Sequence, residues 1–295
     1  MQVKSALIFV VHTSLQIINL ALWALIVFFL GLIKLLIPIA LIRKHLLFLM
    51  NSAMFAFGII SVRLIKVFND LDIDYRISDE LSEEQWYLLI ANHLSYLDII
   101  LLIEFSANRI PAPKFFLKRE LIWLPFVGIA AWALDMPFMR RFSKAYLEKH
   151  PHLRGKDIET TRRSCEKYKD TPTTIINFVE GTRFTTQKHK QKNSPFSHLL
   201  PPKAGGIAFT LAAMSNLFTH ILDVSLAYPE NAQHPMMDML SGNMKKIIVD
   251  VTQLPIPDHV GGDYFNDEGY RSLFQNWLND IWIAKNERIR AMVNH

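Results

Sequence analysis

Cysteine is almost absent from this chain, because Cys165 is the only one in 295 residues. A single cysteine excludes an internal disulfide, so the sequence fits a reducing compartment. Cys165 stands in the charged stretch 162–167, where an exposed helical residue is a simpler interpretation than a thiol nucleophile. Glycine-rich phosphate loops, dinucleotide fingerprints and the ligand spacing of zinc sites are also missing. The sequence therefore gives no sign of a nucleotide or metal cofactor.

Acidic residues are missing from the first 66 positions, which carry six basic residues. The remaining chain has 26 basic and 27 acidic residues, so the excess of positive charge comes from the N-terminal segment alone. A nucleic-acid-binding protein would carry that charge on its globular body. This distribution argues against nucleic acid as a partner and favours an anionic membrane surface.

The N-terminal segment consists of long apolar runs. Residues 6–33 have no formal charge, Pro38 predicts a kink, the basic stretch 43–45 interrupts the run, and 46–62 are again uncharged. Two interpretations stay open: a pair of transmembrane helices, or a hairpin embedded in one leaflet. As a helix, the second run spans only about 26 Å, which is slightly short for a full crossing. Positive charge lies at the start, the turn and the end of the segment, and the positive-inside rule disfavours a pair of crossings that would export the turn. A cleaved signal peptide is a third interpretation, but no small-x-small cleavage site precedes Ile33.

From residue 67 the sequence alternates between strand and helix patterns. The predicted strands are 68–78, 87–91, 115–117, 174–179, 220–228 and 246–251. The predicted helices are 95–106, 120–133, 157–168, 206–216 and 270–293, and 185–198 reads as a basic polar loop. This alternation predicts an α/β fold with a mostly parallel sheet flanked by helices. We expect residues 1–66 to be a membrane-embedded helical segment and residues 67–295 to be a catalytic domain.

His93 and Asp98 follow the apolar strand pattern of residues 87–91. An imidazole is the usual general base for a hydroxyl, and a carboxylate on its other ring nitrogen fixes the tautomer. Residues five apart on one helix lie on different faces, so the pair can meet only if His93 precedes the helix. Ser95 and Asp98 also have the spacing of a helix cap, and simple capping is the alternative interpretation.

The second polar motif, Phe178–Arg183, follows the strand pattern at 174–179. Gly181 permits a tight turn and close approach of a ligand to the backbone. Arg183 is suited to bidentate binding of a phosphate. Glu180 could bond a substrate hydroxyl or hold the arginine. The alternative is a solvent-exposed turn that contains an ion pair.

Taken together, the two motifs resemble the glycerolipid acyltransferases, which include 1-acylglycerol-3-phosphate acyltransferases. Further blocks carry the resemblance over residues 85–230, namely 118–121, 123–128, 136–141 and 199–205. The sequences of 178–185 and 199–207 are similar to those of an enterobacterial branch of this family. Residues 222–229 stand where many relatives have a proline-containing strand, and this segment looks more like the lysocardiolipin-type branch.

The resemblance implies a membrane-bound enzyme that moves an acyl chain from acyl-CoA or acyl-ACP (acyl carrier protein) to a lysophospholipid hydroxyl. The acceptor would be of the lysophosphatidic acid, lysocardiolipin or lysophosphatidylglycerol type. His93 would be the base and Asp98 would orient it. The residues implied in acceptor binding are Glu180, Gly181, Thr182, Arg183, Arg141 and Lys118. No bound cofactor or metal is implied, and the expected partners are membrane lipids and the acyl donor.

The same resemblance implies a bacterial inner-membrane location with the catalytic domain facing the cytoplasm. A membrane-anchored lipid-binding scaffold without turnover is the alternative, and a hydrolase acting on water is a third possibility. The basic run 188–192 is suited to binding anionic headgroups or the phosphates of coenzyme A. The alternative interpretation is a solvated run of surface charge. The aromatic stretch 123–132 fits an acyl slot or ordinary core.

Overall fold

A six-stranded sheet between two helical layers forms the centre of the molecule. The computed structural model describes residues 2–139, 166–214, 217–257, 262–264 and 266–294. The helices are α1 (Gln2–Leu36), α2 (Ala40–Phe68), α3 (Leu97–Ser106), α4 (Val127–Ala133), α5 (Thr186–Gln191), α6 (Ala204–Met214), α7 (Pro235–Leu240) and α8 (Glu268–Val293). The strands are β1 (Asp72–Ile77), β2 (Tyr87–Ala91), β3 (Pro113–Phe115), β4 (Leu117–Lys118), β5 (Phe138–Met139), β6 (Thr174–Phe178), β7 (His220–Ala227) and β8 (Lys246–Pro255).

The strand order in the main sheet is β1-β8-β7-β2-β6-β3, and β4 pairs with β5 separately. All neighbouring strands are parallel except β7 and β8. The predicted α/β class with a mostly parallel sheet is therefore confirmed. Strands β3, β6, β2 and β7 all end at one edge, where ligands bind in open sheets of this type.

Strand β2 is buried on both faces of the sheet. Leu88 and Ile90 pack into the core that α6 and α8 share, with Trp282 among its members. Tyr87 and Leu89 point to the opposite face and pack with residues of α1, α2 and α3. A strand covered on both sides needs apolar residues throughout, which explains the uninterrupted apolar run at this point of the sequence.

Helices α1 and α2 pack against each other and against the rest of the protein. Near one end of α1, Ile8 lies beside Gly242, and near the other end Lys34 Nζ lies 2.7 Å from Asp135 Oδ2. These two contacts are separated by about 39 Å of helix. Both helices are long and apolar enough to cross a membrane. Helix α1 nevertheless lies along the protein body over most of its length.

The turn between these two helices differs from the prediction. The break falls at 37–39, around Pro38, and the basic stretch 43–45 lies inside α2. Proline lacks an N–H group and restricts the residue before it, so it ends α1 rather than merely bending it. Charged side chains at 43–45 can remain helical because they point outward and are exposed.

Two other predicted elements were wrong in part. The helix predicted at 120–133 is a 3-10 turn, Arg119–Trp123, followed by α4, because Pro125 breaks it. The loop predicted at 185–198 contains α5, whose start is capped by Thr185 Oγ1 accepting from the Lys188 N–H at 3.2 Å. The helix predicted at 157–168 lies mostly outside the described residues, as does Cys165.

Candidate active site

The His93 and Asp98 side chains meet at the carboxyl edge of the sheet. His93 lies in the loop after β2 and Asp98 in the first turn of α3, which is the arrangement that their spacing requires. The distance from His93 Nδ1 to Asp98 Oδ2 is 2.7 Å. The carboxylate makes Nδ1 the protonated ring nitrogen, so the lone pair lies on Nε2. The His93 side chain is 12% exposed, so the ring is not sealed from solvent.

Three further groups donate hydrogen bonds to the fully buried Asp98 carboxylate. The backbone N–H groups of Leu94 and Ser95 donate to Oδ2 at 2.7 and 2.9 Å. The hydroxyl of Tyr228 donates to Oδ1 at 2.5 Å. These donors compensate the carboxylate for its removal from water. Ser95 precedes the N-cap residue Tyr96, so its bond to Asp98 fastens the start of α3 while the same carboxylate orients His93.

Tyr228 had no assigned role in the sequence interpretation. It follows β7 directly and is buried, and burial and the nearby Asp98 carboxylate raise the pKa of its phenol well above the ordinary value. It therefore stays protonated and donates to Asp98. Asn92 fastens the end of β2 to β7, because its amide exchanges two hydrogen bonds of 2.9 and 2.8 Å with the Leu226 backbone.

A phenylalanine side chain supports the imidazole ring from one side. The ring of Phe178, the last residue of β6, stacks on His93 with centroids 4.0 Å apart and planes 17° apart. Phe115 at the end of β3 stacks behind it at 6.4 Å. Stacking and the bond to Asp98 together leave the imidazole little rotational freedom. Phe178 belongs to the second polar motif of the sequence, but no local pattern predicts a function for it.

Glu180 points inward, and both of its oxygens bond to backbone groups. Oε1 accepts from the His93 N–H and Oε2 accepts from the Leu200 N–H, each at 3.3 Å. Burial raises the pKa of this carboxyl to about 8, against the opposing effect of these two donors and of Lys285. Glu180 therefore holds two loops together. The sequence interpretation had assigned it to a substrate hydroxyl or to Arg183.

Two lysines approach the turn after β6. Gly181 has φ +64°, and a Cβ atom there would lie 3.2 Å from Cδ and 3.4 Å from Nζ of Lys203. Thr182 Oγ1 accepts from Lys188 Nζ at 2.7 Å, and the same amine donates to the Arg183 carbonyl at 3.1 Å. A side chain at position 181 would be strained and would displace Lys203. The turn thus gathers positive charge beside the imidazole.

Arg183 lies at the rim of the site. Its guanidinium carbon is 3.9 Å from the centroid of the half-exposed Tyr96 ring, which stands between His93 and Asp98 in the sequence. The Phe184 N–H donates to the His93 carbonyl at 2.7 Å, which joins the arginine turn to the histidine loop.

Two of the residues implied in acceptor binding have no described side chain. Lys118 lies in β4, but its side chain falls outside the described residues, and so does the whole of Arg141. Within the described residues, no group of three or more His, Cys, Asp or Glu side chains is suited to a metal ion. The described part of the site is therefore the His93–Asp98 pair and the turn from Glu180 to Arg183.

The raised pKa of Glu180 predicts a pH-dependent stability. Folding raises its pKa from the ordinary value of 4.5 to about 8, so the folded state binds a proton more tightly than the unfolded state. This contribution is fully present below pH 4.5 and is lost as the pH rises through 8, with a slope of up to about 1.4 kcal/mol per pH unit. We expect Glu180→Gln to flatten the decline in unfolding free energy measured by urea titration between pH 5 and 8. The exposed control Glu287→Gln should retain the decline; equal slopes in the two variants would contradict the assignment.

Comparisons with known proteins found one matching family and several similar relatives. The profile of the family described as Acyltransferase matches residues 72–228, more than half of the chain. The human 1-acyl-sn-glycerol-3-phosphate acyltransferase delta is 25% identical over 155 residues, which are 49% of this chain and 38% of that protein. The Arabidopsis thaliana 1-acyl-sn-glycerol-3-phosphate acyltransferase 3 is 22% identical over 223 residues, which are 71% of this chain and 54% of that protein. The chain thus spans about two fifths to half of the length of these relatives.

A solved structure shares the whole fold. The crystal structure of PlsC, the 1-acyl-sn-glycerophosphate (LPA) acyltransferase from Thermotoga maritima, superposes with a TM-score of 0.61 at 17% identity. The match covers 98% of both chains. It therefore includes the two N-terminal apolar helices as well as the sheet.

Proposed function

Because this chain belongs to the Acyltransferase family, we propose that it is a membrane-bound enzyme that transfers an acyl chain from a thioester to the free hydroxyl of a lysophospholipid. One observation carries the proposal. A buried carboxylate holds the His93 imidazole at the carboxyl edge of the sheet, beside a turn that carries Arg183. An imidazole beside a guanidinium supports the proposal, because such an acceptor requires a general base and a phosphate-binding group.

In the proposed reaction, Nε2 of His93 takes the proton from the acceptor hydroxyl. The oxygen attacks the thioester carbonyl, and the imidazolium is stabilised by Asp98. Collapse of the tetrahedral intermediate breaks the carbon–sulfur bond, and the thiolate takes the proton from His93. The products are a new ester and a free thiol. No covalent acyl-enzyme is needed, which suits a site without a nucleophile elbow.

The acceptor's glycerol phosphate would be held by the turn after β6. Gly181 allows close approach to the backbone, and Thr182 and Arg183 supply a hydroxyl and a guanidinium. Lys118 and Arg141 would add positive charge, as the family resemblance implies. Glu180, whose oxygens are already engaged, would act by positioning His93 rather than by binding the acceptor.

Two kinds of acceptor fit the proposed reaction. The relatives matched here are named for 1-acyl-sn-glycerol-3-phosphate, which favours lysophosphatidic acid. The segment 222–229 favours the lysocardiolipin-type branch, with lysophosphatidylglycerol as a related acceptor. Either acyl-CoA or acyl-ACP would serve as donor. Lys188 and Lys203 lie where phosphates of a coenzyme A donor could reach them.

For the membrane, we propose that α1 and α2 lie in one leaflet. The contacts at Ile8 and Lys34 hold α1 to the protein body near both of its ends. A helix that crossed the bilayer would have to leave the body over about 30 Å. The apolar side chains that α1 exposes along its length fit an embedded helix instead. With a bacterial inner membrane, the catalytic edge would face the cytoplasm.

Product analysis tests the proposed function directly. The purified protein would be offered labelled acyl-CoA or acyl-ACP with a panel of lysolipids, and the products separated by mass spectrometry. We expect a diacyl product that depends on both substrates. Release of free fatty acid would indicate a hydrolase instead. Binding of lysolipid without product from any donor would favour a lipid-binding scaffold.

The hydroxyl of Tyr228 should affect turnover through Asp98. We expect Tyr228→Phe to lower kcat about tenfold, since a bond to a charged group is worth about 1.5–3 kcal/mol. Without this donor Asp98 Oδ1 loses its hydrogen bond, so the carboxylate orients the imidazole less firmly. KM should change little, because the Tyr228 hydroxyl bonds to Asp98 and not to a substrate. Tyr87→Phe is the matched control, because this buried hydroxyl accepts from Ser82 N–H outside the site. An unchanged kcat in Tyr228→Phe would reduce Tyr228 to a structural role.

A further inference from the structure

A cationic cavity lies at the opposite end of α3 from the His93–Asp98 pair. Its volume is about 440 Å³. Asp98 is in the first turn of α3, whereas Asn108 and Arg109, which line the cavity, follow the last turn. The ten residues of α3 separate the two places by about 15 Å. The cavity is therefore not part of the catalytic edge.

Three cations line this cavity. Arg63 and Lys66 are exposed, three positions apart on one face of α2, and neither forms an ion pair with any residue that the structure describes. Arg109 is held in place, because it donates to the Phe105 carbonyl at 2.9 Å and lies 5.1 Å from the centroid of the Tyr75 ring. With Glu104 as the one acidic residue, the lining carries a net charge of +2. Three cations around one cavity favour a bound anion.

The remaining polar groups suit hydroxyls. The Glu104 carboxylate accepts a hydrogen bond from Tyr75 and reaches the cavity from the side of α3. Asn108 adopts a left-handed backbone conformation with φ 61° at the same wall. A carboxylate beside three cations would repel a bare anion, but it can accept hydrogen bonds from hydroxyls that the anion carries. The lining therefore fits a phosphate joined to a polyol better than a simple phosphate.

Helix α2, which carries two of the cations, indicates that the bound phosphate belongs to a lipid. In its first half α2 exposes Phe48 and Leu49, at 68% and 50%, and near its end it exposes Arg63 and Lys66. A helix that exposes both apolar and basic residues is typical of an anionic membrane surface. A lipid headgroup could reach the cavity from that surface.

We propose that this cavity binds the headgroup of an anionic glycerophospholipid, with the phosphate on Arg63, Lys66 and Arg109 and the headgroup hydroxyls on Glu104 and Asn108. This inference goes beyond the proposed acyl transfer and does not depend on it. The cavity fixes the orientation of the protein on an anionic bilayer, while the acceptor binds separately at the catalytic edge.

Vesicle binding by the full-length protein tests the cavity. The probes are phosphatidylcholine vesicles with and without one-fifth phosphatidylglycerol, and the double variant Arg63→Gln/Lys66→Gln is compared with Arg43→Gln/Lys44→Gln. Both remove two exposed charges from α2, but only the first pair lines the cavity. We expect the cavity variant to weaken binding to phosphatidylglycerol vesicles at least about tenfold, and the control much less. Thermal unfolding checks the fold; if the double variant unfolds, Lys66→Gln is compared with Lys44→Gln.

Three outcomes would overturn the proposal. Equal losses in both variants would mean diffuse attraction to the membrane rather than a site. Equal binding to both kinds of vesicle would mean that no anionic headgroup is recognised. Displacement of the phosphatidylglycerol vesicles by millimolar inorganic phosphate, as effective as by glycerophosphoglycerol, would mean a simple phosphate site. None of these readouts requires turnover, so failure of the proposed acyl transfer would leave the test intact.

Discussion

Alanine at position 93 is expected to reduce acyl transfer by about 10²–10⁴-fold, the range that a general base contributes. Only the imidazole supplies Nε2, and no other histidine adjoins the Asp98 carboxylate among the described residues. The fold should survive, because the backbone of residue 93 keeps its bonds to Glu180 and to the Phe184 N–H. The measurement is the rate of diacyl product formation from labelled acyl thioester and lysolipid, alongside binding to vesicles.

His220→Ala provides the matched control for this experiment. His220 begins β7, at the opposite edge of the same sheet from the end of β2. It should reduce turnover little, whereas membrane binding should persist in both variants. Undiminished turnover in His93→Ala would remove the base from the mechanism. A loss of vesicle binding that accompanies the loss of turnover would instead point to misfolding.

Asparagine at position 98 is expected to impair both turnover and stability. The carboxylate accepts from four donors, and an amide has only one acceptor oxygen. In either orientation the amide nitrogen faces groups that donate, so at least one buried donor loses its partner, at about 1–3 kcal/mol. The histidine also loses the acceptor that fixes its tautomer, which costs about 10⁴ in kcat in the Ser-His-Asp proteases. We expect a fall in kcat of at least 10²-fold and a lower urea midpoint.

Coupling between the two residues separates a catalytic unit from independent defects. In a His93→Ala background, Asp98→Asn should cost little further turnover, because a base and its orienting acid act as one unit. Asp74→Asn serves as the control, since that carboxylate pairs with Arg76 on β1, away from the site. Independent, multiplicative losses in the double variant would argue that Asp98 acts through stability alone.

The sequence could predict the local part of this site but not its distant part. His93 and Asp98 are five residues apart, so helix geometry alone restricts how they can meet. Tyr228 reaches Asp98 across 130 positions, and this contact depends on β7 lying next to β2. Strand order is a tertiary property that no local pattern encodes. The same reason explains why the ring stacking between Phe178 and His93 was not foreseen.

The orientation of Glu180 shows a second limit of sequence reasoning. A carboxylate after a strand was expected to face a substrate or Arg183, because polar residues at such turns are commonly exposed. The structure directs both oxygens to backbone N–H groups of His93 and Leu200, which belong to separate loops. Burial depends on how these loops fold over the turn, and composition does not report it.

Helices α1 and α2 determine how far the protein can be shortened. Val27, Met50 and Ile65 are buried in the same core as Leu89 of β2. A polypeptide that started at residue 67 would present this face of the sheet to water as an uncovered apolar surface. We expect such a fragment to aggregate, so the N-terminal helices are required for a soluble, folded body in addition to their proposed place in a bilayer. For crystallisation without detergent, the exposed apolar side chains of these helices would have to be masked, because the helices themselves cannot be deleted.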